Sequence, residues 1–227
     1  MKYLESNLFN QFENLSYGFL YDFNKDSLNS IIKDKSLEKI VTIKQVHSDN
    51  IFHYDLPEND YHLFEGDSVI TEQKNIGVGV YTADCVPVLI YEKTYGYIAA
   101  VHAGWKGSLL EIALKAVDEI NSKIESDNSN YYVVIGPSIG KCCYEVGIDV
   151  ASKFFSKFNF CDQFISNVKN DKYMLDLVKL NTIQLEQAGI KNVEVLENCT
   201  KCEEYLPSYR REGKAAGRIL SFIAMTQ

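Results

Sequence analysis

The sequence predicts an α+β fold built on a mixed sheet. Three observations carry this. The first half is dominated by short segments rich in β-branched and aromatic residues. Segments with helical spacing come later. Fifteen tyrosines and twelve phenylalanines accompany a single tryptophan, and such aromatics pack well on pleated surfaces.

Taken in order, KIVTIKQVH, IGVGVYT, VPVLIY and YGYIAAVH are expected strands. Gly77 and Gly79 inside the second predict close backbone approach or a bulge. In SLLEIALKAVDEI the apolar Leu109, Ile112, Ala113, Ala116, Val117 and Ile120 recur at helical spacing, with Ser108 as the expected N-cap. YYVVIG is a strand that runs into GPSIG. GIDVASKFFSK and DLVKLNTIQLEQA are helical, the latter capped by Asp176 and stopped by Gly189. NVEVLE is a strand, and GRILSFIAM is a final strand, with a helix as the alternative. No repeat or long linker interrupts the chain, so residues 1–227 read as one catalytic domain.

The formal charge is -8, which opposes non-specific binding to nucleic acid or anionic membrane. No apolar run approaches spanning length, and MKYLESNLFNQFENLSYG lacks a signal-peptide core. A cytoplasmic protein is expected, as a monomer or small homo-oligomer. The six cysteines then read as thiols, ligands or nucleophiles rather than disulfides.

Three potential metal ligands fall at strand ends or connections. His47 closes VTIKQVH, His102 closes YIAAVH, and Cys85 lies in TADC between two strands. If the strands neighbour one another, the three side chains converge at one sheet edge. Two imidazoles and a thiolate suit zinc and leave a fourth position for water or substrate. The same donors suit copper. Without metal, Cys85 and a histidine form a nucleophile–base pair. The plain alternative is two ordinary strand-end histidines and a small buried cysteine. His53 and His62 lie in FHYDLPENDYHLFEGD and read as solvated loop residues.

Other segments carry weaker signals. CTKC (199–202) is a CxxC that alone is half a zinc site or a redox pair; no second CxxC completes a zinc knuckle, and it reads as structural, with a redox role as the alternative. Adjacent Cys142 and Cys143 are awkward as the missing half, because neighbouring side chains point apart in extended chain. GPSIGKCCYEVG offers backbone amides to an anion, or is an irregular turn. Glu145 is a candidate acid or base, with a structural carboxylate as the alternative. Asp84 is a candidate proton carrier or a partner that orients a ligand histidine, with a bond to its own turn backbone as the equal alternative. SYRREGKAAGR concentrates Arg210, Arg211, Lys214 and Arg218, and arginine suits bidentate capture of phosphate. A solvated, salt-bridged loop is the alternative.

KQVH, TADCVPVLI, AAVHAGWKG, IGPSIGKCCYEVG and SYRREGKAAGR together resemble, in order, the motifs of the YfiH/laccase-domain family, also called the multicopper polyphenol oxidase or purine nucleoside phosphorylase family. The resemblance spans about residues 40 to 225. It implies a layered α/β sandwich and a His/Cys/His zinc site, which maps onto His47, Cys85 and His102. It also implies phosphorolysis of adenosine, inosine and methylthioadenosine, and deamination of adenosine. Ser48 replaces a frequent glycine, Lys106 a frequent arginine, and GKAAGR a frequent GKTGR.

The expectation is a zinc-dependent purine nucleoside enzyme acting on nucleoside and phosphate, with no nucleic-acid or membrane partner. Cys85, Asp84 and Glu145 are the catalytic candidates. Lys106, Arg211 and Arg218 are the expected phosphate ligands. Trp105 is read as an apolar wall or a core residue, and the helix after it as pointing its N-terminus at the site. A copper polyphenol oxidase is one alternative, although four histidines are few for several copper sites. A cysteine hydrolase using Cys85 with His102 is the other.

Overall fold

The computed structural model describes residues 2–55 and 63–226. The chain runs through β1 (Lys2–Leu4), β2 (Leu15–Tyr21), α1 (Lys25–Asp34), β3 (Lys39–Val41), β4 (Ile51–His53), β5 (Ser68–Thr71), β6 (Ile76–Thr82), β7 (Val86–Glu92) and β8 (Tyr97–Ala103). It continues with α2 (Trp105–Leu109), α3 (Ile112–Asn121), β9 (Tyr131–Ile135), β10 (Glu145–Gly147), α4 (Ile148–Lys157), β11 (Ile165–Lys169) and β12 (Lys172–Leu175). α5 (Leu177–Gln187), β13 (Asn192–Val195), α6 (Tyr209–Glu212) and β14 (Ile219–Met225) complete it.

Two mixed sheets stack. One is ordered β1-β2-β14-β6-β3 and the other β13-β9-β7-β8-β5-β4. Alternation along each strand divides its residues between two cores. In β7, Leu89 and Tyr91 face the five-stranded sheet, while Val86, Val88 and Ile90 face α3, α4 and α5. In β14, Ile219, Ile223 and Met225 face inward, while Leu220, Phe222 and Ala224 face α1. The result is a layered sandwich: helix, sheet, sheet, helices. Full burial of each such Val, Leu or Ile contributes roughly 1.5–3 kcal/mol. A small β10-β12-β11 sheet flanks the helical layer.

Gly77 and Gly79 are close-approach positions, as expected. A Cβ at Gly77 would lie 3.0 Å from Ile40 Cγ1, and one at Gly79 would lie 3.0 Å from Leu220 Cδ1. Asp176 caps α5 by accepting from the Lys179 amide, and Gly189 follows that helix at φ +86.

The helix expected from Ser108 differs. It starts earlier, at Trp105, and breaks at Glu111, whose φ of 62 is left-handed. Ser108 is buried inside α2, where its hydroxyl accepts from Asn181 Nδ2 at 2.9 Å. That buried partner, distant in sequence, claims the hydroxyl that a cap would have used. The five-residue α2 is too short to bring an N-terminal dipole of consequence to the site.

Candidate functional site

The site lies where the two large sheets meet at one end. β6 and β7 are consecutive but belong to different sheets, so TADC is the crossing between layers. Cys85 sits on that crossing. In β8, His102 is registered opposite Pro87, on the face shared with Ile98 and Ala100 that looks towards the other sheet. His47 follows β3 in a loop, not at the end of a long strand, with φ 59.

Gln45 holds this loop against β6. Its side-chain amide donates to Tyr81 O and accepts from Tyr81 N, both at 2.8 Å. Asp67, one residue before β5 and fully buried, holds the rest. Its carboxylate accepts from the His47 amide at 3.0 Å and from the Ser48 amide and hydroxyl at 2.6 and 2.9 Å. It also stands 2.7 Å from His102 Nδ1. Left-handed backbone at a non-glycine residue costs on the order of 1–3 kcal/mol, which these bonds offset at His47.

The ligand atoms of His47, Cys85 and His102 all lie within 4.8 Å of one another. Cys85 Sγ is 3.9 Å from His47 Nε2, close to the ~3.6 Å expected between a sulfur and a nitrogen on one tetrahedral zinc. The two imidazoles meet edge to face, with centroids 4.8 Å apart. With Nδ1 of His102 committed to Asp67, its other nitrogen is left for a metal, the usual arrangement for a ligating histidine. Gly104 leaves the trio room: a Cβ there would lie 3.2 Å from both Cys85 Sγ and His47 Cδ2. The donor chemistry, spacing and cradle therefore fit a metal ion.

The electrostatics agree. Burial pushes the Cys85 thiol up, but hydrogen bonds and charge from His102 and His47 outweigh it and bring it to about 7. Burial would depress His102, yet its bonds to Asp67 and Cys85 raise it to about 9. Burial opposes ionisation of Asp67, and the bonds from His102 and Ser48 override it, giving about 2.

The trio opens into a cleft of about 640 Å³. Tyr81, Ile139, Tyr144 and Tyr209 supply apolar and aromatic wall, and Arg210 and Arg218 supply cations. The Arg210 guanidinium lies 5.3 Å from the Tyr144 ring centre and donates to Glu145 O.

Several expected residues stand elsewhere. Arg211 is turned away from the cleft. Its guanidinium donates to the carbonyls of Thr200, Lys201 and Leu206 and pairs with Glu212, so it braces a loop. Lys106 lies over the Trp105 ring, and neither lines the cleft; Trp105 packs against the helical-layer core. The exposed Glu145 carboxylate faces Lys172 at 3.5 Å, outside the cleft. Asp84 does line it, at φ 91, but its oxygens accept from Thr200 Oγ1 and the Arg210 amide. It therefore orients no histidine; Asp67 does. The signal for Asp67 was slight: an aspartate after glycine, directly before the all-buried SVIT strand. His53 is in β4 and bonds Glu72 at 2.7 Å rather than sitting in a solvated loop. His62 falls outside the described residues. Among the described residues, no helix is long and apolar enough to cross a membrane.

Comparison with known proteins agrees with this architecture. The YfiH protein of Bacillus licheniformis superposes with a TM-score of 0.81 at 29% identity, covering 96% of this chain and 94% of that one. A purine nucleoside phosphorylase of Clostridium acetobutylicum is 38% identical over 218 residues, 93% of this chain and 89% of that protein. The adenosine deaminase RL5, from an unknown prokaryotic organism, is 33% identical over 82% of this chain and 75% of its own length. The sequence profile named multi-copper polyphenol oxidoreductase laccase matches residues 24–226. The chain belongs to that laccase-like family, in which YfiH provides the shared fold.

Proposed function

We propose that the chain is a zinc-dependent purine nucleoside enzyme, with residues 1–227 forming one catalytic domain. It would phosphorolyse adenosine, inosine and methylthioadenosine, and deaminate adenosine. One observation carries the reading. The metal-competent trio opens into a cleft that combines aromatic walls with two guanidinium groups. The relatives named for phosphorolysis and deamination support it.

Zinc on His47, Cys85 and His102 would supply a Lewis acid that makes water nucleophilic near neutral pH. The remaining roles belong to the chain. Asp67 holds the His102 ring and the His47 loop in position. Tyr81, Tyr144 and Tyr209 offer flat faces to a purine. Arg210 and Arg218 hold phosphate as its oxygen attacks the ribose C1′ and the bond to the base nitrogen breaks, the base leaving with a proton. In deamination, water oxygen adds at C6 and ammonia leaves.

The Asp67–His102–Cys85 chain also favours a second reading, a hydrolase with a thiolate nucleophile. Copper is the alternative metal for the same donors. Incubation with adenosine and phosphate, followed by product and metal analysis, tests all three. Adenine with ribose 1-phosphate, inosine with ammonia, and bound zinc are expected. Turnover undiminished after metal removal would overturn the zinc reading in favour of the thiolate. No turnover of any purine nucleoside by zinc-loaded protein would overturn the nucleoside reading.

A further inference from the structure

A second cluster of potential metal ligands, all sulfur, lies in loops adjoining the cleft residues Ile139 and Tyr144. The Sγ atoms of Cys142, Cys143, Cys199 and Cys202 all lie within 4.8 Å of one another. Cys142 is 3.6 Å from both Cys199 and Cys202, and Cys143 is 3.4 Å from Cys202. All four are free thiols. A zinc ion with four sulfurs at ~2.3 Å has tetrahedral edges of ~3.8 Å. The observed spacings are near that edge and far from the ~2.05 Å of a disulfide.

The fold assembles this cluster from two loops. β9 and β13 are parallel neighbours, and both leave the sheet at the same end. Past that end, Ser138 still bridges Cys199. The adjacent cysteines, awkward in extended chain, are not in extended chain. Cys143 and Tyr144 both donate their amides to Gly140 O, which makes a tight turn and brings both thiols to one side. CTKC turns likewise, with the Cys202 and Glu203 amides donating to Cys199 O. The Gly140 amide donates to Cys199 Sγ at 3.3 Å, as amides do to metal-bound sulfur. A Cβ at Gly140 would lie 3.3 Å from Cys142 Sγ and 3.4 Å from Cys199 Sγ, so glycine admits the cluster. Lys141 and Lys201 are the residues that adjoin the cysteines within the two loops.

We propose that these four cysteines form a structural tetrathiolate zinc site, distinct from the His47, Cys85 and His102 trio, that clamps one wall of the cleft. The clamp reaches the site through a short path. Thr200, beside Cys199, donates to Asp84, and the Ile139 amide donates to Asp84 O. Tyr144 and Ile139 line the cleft directly. All four ligands are cysteines, so the site is closed, as structural zinc sites are. The proposal does not rest on the nucleoside reading.

Metal counting on separated variants tests it. His47→Ala/Cys85→Ala protein, purified anaerobically with zinc and desalted, is expected to keep about one zinc per chain. Cobalt(II) added to that variant after zinc removal should give the intense sulfur-to-metal charge-transfer band of a tetrathiolate. Cys142→Ser/Cys202→Ser is expected to lose that ion and to melt at lower temperature. Should it fail to fold, thiol alkylation of the His47→Ala/Cys85→Ala variant still decides, because zinc should protect four thiols, at least tenfold in rate. A variant lacking the trio that binds no zinc, gives no cobalt–thiolate band, or shows the four cysteines oxidised to disulfides after anaerobic purification would overturn the proposal.

Discussion

The Asp67 carboxylate stands 2.7 Å from His102 Nδ1 and also accepts the amides of Val46, His47 and Ser48. One buried acid thus sets the ring of one candidate ligand and the backbone of another. Asp67→Asn keeps the shape and removes the charge. It is expected to weaken metal affinity about 10- to 100-fold, as loss of such partners does elsewhere. Competition with a chelator reads this directly; unchanged affinity would mean that Asp67 is only a loop brace.

The pH behaviour of metal-free protein follows from the same network. Cys85 sits at about 7, lowered from 9.0, so its thiolate persists down to near neutrality and is lost as pH falls through about 7. Alkylation of Cys85 in metal-free protein, followed by peptide mass, should therefore rise with a midpoint near pH 7. In His102→Ala, one of the groups holding it down is gone, and the midpoint should move upward. A midpoint that ignores the substitution would sever the two residues.

Gly104→Ala places a methyl group 3.2 Å from both Cys85 Sγ and His47 Cδ2. That is tight enough to push the ligands apart. Metal affinity and turnover should fall at least tenfold, while melting temperature of the metal-free protein changes little. Equal loss of stability would indicate a backbone role instead.

Arg210 and Arg211 are neighbours with opposite tasks. Arg210 faces the cleft, so Arg210→Ala should raise the phosphate requirement of phosphorolysis roughly ten- to a hundredfold and spare deamination. Arg218→Ala should act in the same direction. Arg211→Ala should instead leave the carbonyls of Thr200, Lys201, Glu204 and Leu206 short of a donor and cost about 1–3 kcal/mol of stability. Phosphate-dependent kinetics beside denaturant unfolding separates them. The reverse pattern would return the phosphate role to Arg211.

Local sequence was enough for much of the scaffold. IGVGVYT, YYVVIG and GRILSFIAM became β6, β9 and β14 because β-branched and aromatic residues fit a pleated, buried surface. The Asp176 cap and Gly189 stop are likewise contained within a few residues of chain. The candidate metal trio was also legible, because its members fall at strand ends or connections and within the motifs QVH, TADC and HAGW.

What the tertiary structure decided was mostly direction and partnership. Nothing in TADC says that β6 and β7 enter different sheets; that depends on which strands are free to pair with each. Asp67 meets His102 only because β5 pairs with β8 in one register. Arg210 and Arg211 are equivalent as residue types, and a short helix with Ser208 as its cap sends one to the cleft and the other to carbonyls. Cys142 and Cys143 point apart in a strand but together in a turn, and their two partners arrive from a loop 56 residues or more away, carried there by the parallel pairing of β9 with β13. Backbone preference is short-ranged and readable in order along the chain. The meeting of side chains is long-ranged, set by packing and strand register, and exists only once the sheets have stacked.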